Sequence, residues 1–193
     1  MKAHSQRAQI AARLEGRVSD LVSTFDAEVY RFVQPKYTSV ADMFAGKGPL
    51  YANGRWLAKG TKLATYTALA PEVALAEALA ATRYYGFPDS RAAPLVFVTA
   101  QAKLKKVIDL RDGSIRQRLR LSNSTITELD WRFENTKGRE SITQAFGWAL
   151  QATGVEGFLC PSAALSDGTN LIVFPQNLKR PTSLRILSEV KWS

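Results

Sequence analysis

The sequence predicts an α+β fold, and three observations carry that reading. Strand-like and helix-like runs are mixed without the steady strand–helix alternation of a doubly wound sheet. Neither GxGxxG nor GxxxxGK[ST] occurs, so neither a Rossmann site nor a P-loop is indicated. The chain has 193 residues, 46% hydrophobic and 22% charged, which suits a globular domain that buries a core without a metal or disulfide staple.

The elements follow in order. Ile10, Leu14, Val18, Leu21 and Phe25 recur at steps of three and four, which predicts an amphipathic helix from about residue 6 to residue 28, packed on the domain or held out as a docking arm. "VYRFVQPKY" is β-branched and aromatic, a short first strand ending near Pro35. "ADMFAGKGPLYANGRWLAKGT" is punctuated by glycine and reads as loops around short extended pieces. "LATYTAL" is a strand feeding a helix that opens at Pro71 and stops at Gly86. "PLVFVTA" and "KKVIDL" read as two strands joined by a polar turn, and residues 111–141 as short helices and loops. "SITQAFGWALQATG" is an amphipathic helix ending at Gly154, followed by strands "GFLCPS" and "NLIVFP" around an "SDGT" turn. The division expected is a helical extension over 1–29 and the main domain over 30–193.

Composition removes several chemistries. The one histidine, His4, lies at the expected frayed end, so Ser-His-Asp hydrolysis, Cys-His proteolysis and zinc deamination all lack parts, and no metal site is expected. The one cysteine, Cys160, has no intramolecular disulfide partner and reads as a buried strand residue. No apolar segment of signal or membrane-spanning length occurs, so the expectation is a cytoplasmic protein without a membrane partner. The net charge of +9 favours anionic partners, nucleotide or nucleic acid among them. A nucleic-acid binder or ribonuclease is the rival reading, drawn from "KLKKVIDLRDGSIRQRLR"; against it, these basic residues are interrupted by strand-like apolar ones and no His/Glu acid–base pair is present.

Glu77 is the residue that asks for an explanation. In the helix opened by Pro71, its neighbours three and four positions away are Val73, Ala74, Ala80 and Ala81, none of them basic. An unpaired carboxylate among small apolar side chains is either a stray surface charge or part of a pocket.

Arg55 in "GRW", Tyr66 in "ATYTA" and Glu77 in "ALAEAL" succeed one another at intervals of eleven, with "VYRF" before and "GFLCPSAALSDGTNLIVFP" after. The order and context of these motifs, with "VIDL", "LDWRF" and "TQAFGWALQATGVEGF" between them, resemble the RES-domain family from about residue 30 to residue 176. On that resemblance Arg31 and Arg55 are the family's arginines, Tyr66 its tyrosine, Glu77 its glutamate and Ser162 its serine. It implies an ADP-ribosyltransferase-like split β-sheet holding NAD in its cleft as substrate, with no prosthetic group. The implied activity is that of a toxin that consumes NAD by hydrolysis, phosphorolysis or ADP-ribose transfer to a protein target. The implied partner is an antitoxin with an Xre-type DNA-binding domain, through which alone nucleic acid would be met. The N-terminal helix lies outside the family core, and Phe32 stands where some relatives carry an aliphatic residue.

The residue types suit that chemistry. Cleaving the nicotinamide–ribose bond builds an oxocarbenium-like centre that a carboxylate such as Glu77 stabilises. Planar guanidinium forks at Arg31 and Arg55 match diphosphate oxygens. Tyr66 offers a ring face and a hydroxyl. Ser162 would donate a hydrogen bond to substrate, since no histidine is present to activate it as a nucleophile, with Asn170 as a supporting polar contact.

Overall fold

The computed structural model describes residues 1–37, 39, 43–179 and 182–192. Helix α1 (Arg7–Leu14) leads into strand β1 (Val22–Val33), a short helix α2 (Gly48–Tyr51) and β2 (Thr65–Ala68). Helix α3 (Pro71–Tyr84) precedes the long β3 (Leu95–Asp109). Three short helices follow, α4 (Gly113–Leu119), α5 (Asn123–Thr127) and α6 (Trp131–Thr136), and then α7 (Ile142–Ala152), β4 (Gly157–Pro161), β5 (Thr169–Val173) and β6 (Ser183–Trp192). The mixture of helix and strand is the one expected. The sheet is not split: β1, β2, β5, β4 and β3 form a closed ring, because β1 pairs with β3 along nearly its whole length as well as with β2. Strand β6 lies antiparallel on β3 over Leu95–Lys103, leaving the end of that edge, Val107–Asp109, to pair in parallel with β4.

The two faces of the ring bury different side chains, as the period of two requires. Val29, Ala100, Ala102, Leu104, Leu159, Leu171 and Val173 form one cluster, contributed by β1, β3, β4 and β5. Phe158, Cys160 and Ile172, which alternate with them, join Ile10, Leu14, Trp56, Phe146 and Leu150 in the larger core under α1 and α7. Cys160 is thus the buried strand residue expected, and burial pushes its thiol pKa up.

Four expectations about elements are corrected. The predicted helix over 6–28 ends at Leu14; Gly16 turns the chain at φ 73°, a 3-10 turn spans Val18–Asp20, and β1 begins at Val22, running through the boundary drawn at 29/30. The apolar positions that suggested the helix do reach the core, Ile10, Leu14 and Leu21 fully and Val18 in part, but strand pairing with β3 decides the conformation after residue 21. The N-terminus is not frayed: Lys2 pairs with Arg139, and the His4 N–H donates to Glu140 at 2.9 Å. The two strands predicted over 95–110 are one, because "AQAKLKK" alternates buried Ala100, Ala102 and Leu104 with polar side chains and contains no turn. In the glycine-punctuated stretch, Gly48–Tyr51 is a helical turn with Pro49 in its first positions; Ala41 and Asp42 of that stretch lie outside the described residues.

Candidate active site

The ring is weakest where β1 meets β2, joined there by one residue pair, Tyr30 with Ala68. Beside this seam opens a cleft of about 590 Å³. Its walls are the seam residues Tyr30–Phe32 and Thr67–Ala68, one side of α3, and the turn Asn53–Trp56, with Trp131 and Arg132 of α6 at one end. Helix α3 forms because Pro71 presets its first turn, and it stops where Gly86 takes φ 70°. Val73, Ala74, Ala76 and Leu79 are buried, which fixes the rotation of the helix and leaves Glu77 in the cleft.

Glu77 is unpaired within its own helix but is held by the ring. The Ser162 hydroxyl donates to Oε1 at 2.6 Å and Asn170 Nδ2 donates to the same oxygen at 2.5 Å. Ser162 sits just past β4 and accepts the backbone N–H groups of Ala164 and Leu165, so its remaining proton points at Glu77. With both donors on Oε1, the carboxylate's rotation is set, and among the described residues no hydrogen bond is made to Oε2. Asn170 Oδ1 is buried with no protein partner.

The two arginines are held by backbone carbonyls. Arg55 Nη1 donates to Ile126 O at 2.9 Å and Leu129 O at 3.0 Å, at the end of α5. Burial lowers the pKa of Arg55; the Glu77 charge opposes that shift, and Arg132 adds to it. Arg31 donates to Met43 O, while its Nε is buried without a partner and burial lowers its pKa to about 10. A cation so enclosed is costly to leave uncompensated, which suits it to an anionic ligand. The Tyr66 hydroxyl is buried beside Gly54, and burial raises its pKa.

A model of the RES domain matches residues 28–191, most of the chain. This chain belongs to the RES family. Comparison with curated proteins gives no match. A chain of the crystal structure of the MbcT–MbcA toxin–antitoxin complex of M. tuberculosis superposes with a TM-score of 0.74 at 21% identity, over 95% of this chain and 92% of that one. At that identity the likeness is one of fold.

In this RES domain, Arg31, Arg55, Tyr66, Glu77 and Asn170 all line the cleft. Ser162 does not; it is buried behind Glu77 and spends its hydroxyl on that carboxylate. Sequence reasoning assigned no role to Tyr30, Tyr84, Trp131 or Arg132, which line the cleft as well. For Tyr84 a signal was present, since it lies seven residues beyond Glu77 on the same helical face. For Trp131 and Arg132 only the unplaced "LDWRF" motif pointed there. The Arg132 guanidinium lies 4.7 Å from the ring centre of Tyr84 and 4.4 Å from that of Trp131, and the Tyr84 hydroxyl donates to Asp130 at 2.8 Å. Among the described residues no cluster of His, Cys, Asp and Glu able to hold a metal occurs, and no helix is long and apolar enough to cross a membrane.

Proposed function

We propose that this RES domain consumes NAD, breaking the bond between nicotinamide and ribose, and that it does so as the toxin of a toxin–antitoxin pair. The observation that carries the reading is the carboxylate of Glu77, aimed by Ser162 and Asn170 into a cleft that also holds two carbonyl-anchored, partly desolvated arginines. In this reading Arg31 and Arg55 take the diphosphate and Tyr66 flanks the nicotinamide riboside. As the C1′–N bond breaks, its electron pair goes to the nicotinamide nitrogen, and the positive charge left on the ribose is stabilised by Glu77. An acceptor oxygen from water, phosphate or a protein then bonds to C1′ and gives up its proton. The family, together with the toxin–antitoxin complex whose fold this chain shares, supports an antitoxin partner, and the proposal extends to one with an Xre-type DNA-binding domain.

The test is to incubate the purified chain with NAD and measure nicotinamide. Wild-type protein should release it, and folded Glu77→Gln should do so roughly 100-fold more slowly, the scale of losing an electrostatic group at a transition state. The co-product identifies the acceptor: ADP-ribose for water, ADP-ribose phosphate for phosphate, a modified polypeptide for a protein. Equal rates in the two proteins would overturn the mechanism.

A further inference from the structure

We infer that Gln144 and Asn135 form a positioning device that sets Arg55 and Tyr66 through the backbone of Gly54. Gln144 is completely buried at the third position of α7, and every slot of its amide is filled. Oε1 accepts the Ser141 N–H and Asn135 Nδ2, both at 2.9 Å, while Nε2 donates to Asn135 Oδ1 and to Gly54 O, again both at 2.9 Å. The two side-chain amides thus pair face to face. Asn135 uses its second proton on Arg139 O at 2.9 Å, tying α6 to the start of α7. The first of these bonds completes a capping box, but the bond to Gly54 does nothing for the helix. It crosses 90 residues of sequence to the turn that carries Arg55.

A second observation points the same way. One turn along the same face of α7 lies Gly147, where a Cβ would stand 1.8 Å from Trp56 O. Helix α7 therefore approaches the Gly54–Trp56 backbone at two points, by a hydrogen bond and by direct contact. Gly54 is in turn the crossing point of the site. Its N–H donates to Leu57 O at 2.9 Å, Arg55 follows it, and a Cβ on it would lie 2.9 Å from the Tyr66 hydroxyl. A shift of Gly54 moves the guanidinium and crowds the phenol together. Gln144 and Asn135 do not line the cleft, so they are positioning residues.

The test uses Gln144→Glu, which keeps the acceptor for the Ser141 cap but replaces two N–H donors by a carboxyl that offers at most one, so that the bonds to Gly54 O and Asn135 Oδ1 are not both made. Asn135→Ala, at a half-buried site, is a second variant should the first fail to fold. The first readout needs no ligand: amide exchange at Gly54 and guanidinium exchange at Arg55 in labelled protein should both accelerate several-fold while the α7 amides stay protected. The second rests on the NAD reading of the cleft. In a Glu77→Gln background, NAD affinity should fall roughly tenfold with Gln144→Glu and about threefold with Asn135→Ala, the scale of one or two hydrogen bonds. In Arg55→Ala protein the same changes should cost under about twofold, because residues acting through one group are not additive. Unchanged exchange at Gly54 and Arg55 in a folded variant, or equal losses of affinity with and without Arg55, would overturn the inference. Wild-type protein that binds no NAD would defeat the proposed function instead, and the exchange measurement would still decide this one.

Discussion

A carboxylate does its work in this site only if it is aimed, and here the aiming is done from a distant part of the chain. Ser162 and Asn170 reach Glu77 across 85 and 93 residues of sequence. Replacing Ser162 by alanine should leave NAD affinity nearly unchanged and lower turnover by roughly 10-fold or more, the range of a hydrogen bond to a charged group. Steady-state kinetics would show it, and an unchanged kcat would mean that Ser162 does not orient the carboxylate. Arg31 makes a different prediction. Because burial lowers its pKa to about 10, its cation is present below that pH and is lost as pH rises through it, where an exposed arginine keeps its charge. Affinity for ADP-ribose, a stable part of the substrate, should therefore fall between about pH 9 and about pH 11. Calorimetry across that range should show the fall in wild type and its absence in Arg31→Ala; identical profiles would remove Arg31 from the diphosphate site.

At the scale of elements, α3 shows why the site was partly legible. The helix, its Pro71 start, its Gly86 stop and the apolar neighbours of Glu77 are local properties of one segment. Ala81 is exposed and lines the cleft, while the opposite side of the helix is packed. Ala81→Phe should thus fill the cleft and abolish NAD binding, yet change stability by no more than about 0.5 kcal/mol. Thermal unfolding together with a binding titration checks both halves, and retained affinity would mean that the ligand does not pass over this face. Strand β3 shows the opposite case. Its continuity depends on β1 pairing along one edge and on β6 and β4 sharing the other, and nothing within "QAKLKK" announces either partner.

For the whole molecule, α1 is part of the core. Ile10 and Leu14 are fully buried with α7 and α4 residues, and Arg7 stacks on Trp148 at 3.8 Å. Removing residues 1–16 should cost at least about 3 kcal/mol, since two large buried side chains leave with it. Urea unfolding of the truncated chain measures that directly, and unchanged stability would make the helix an appendage.

By itself the sequence determined the class of fold, most of the later elements, the RES motifs and five of the residues that meet in the cleft, Arg31, Arg55, Tyr66, Glu77 and Asn170. Each of these is written in local terms: hydrophobic period, turn residues, or a motif within a few positions. What only the tertiary structure decided is how those segments close on one another. The "RVSDLVSTFDAEV" stretch carries a helical spacing of apolar residues, and from Val22 onward it becomes strand because β3 offers an edge for pairing. The same pairing closes the sheet into a ring instead of leaving it split, and puts the cleft beside its one-residue seam. The role of Ser162 was decided in the same way. Its hydroxyl is equally suited to a substrate or a carboxylate, and the partner it takes depends on a helix folded 85 residues away.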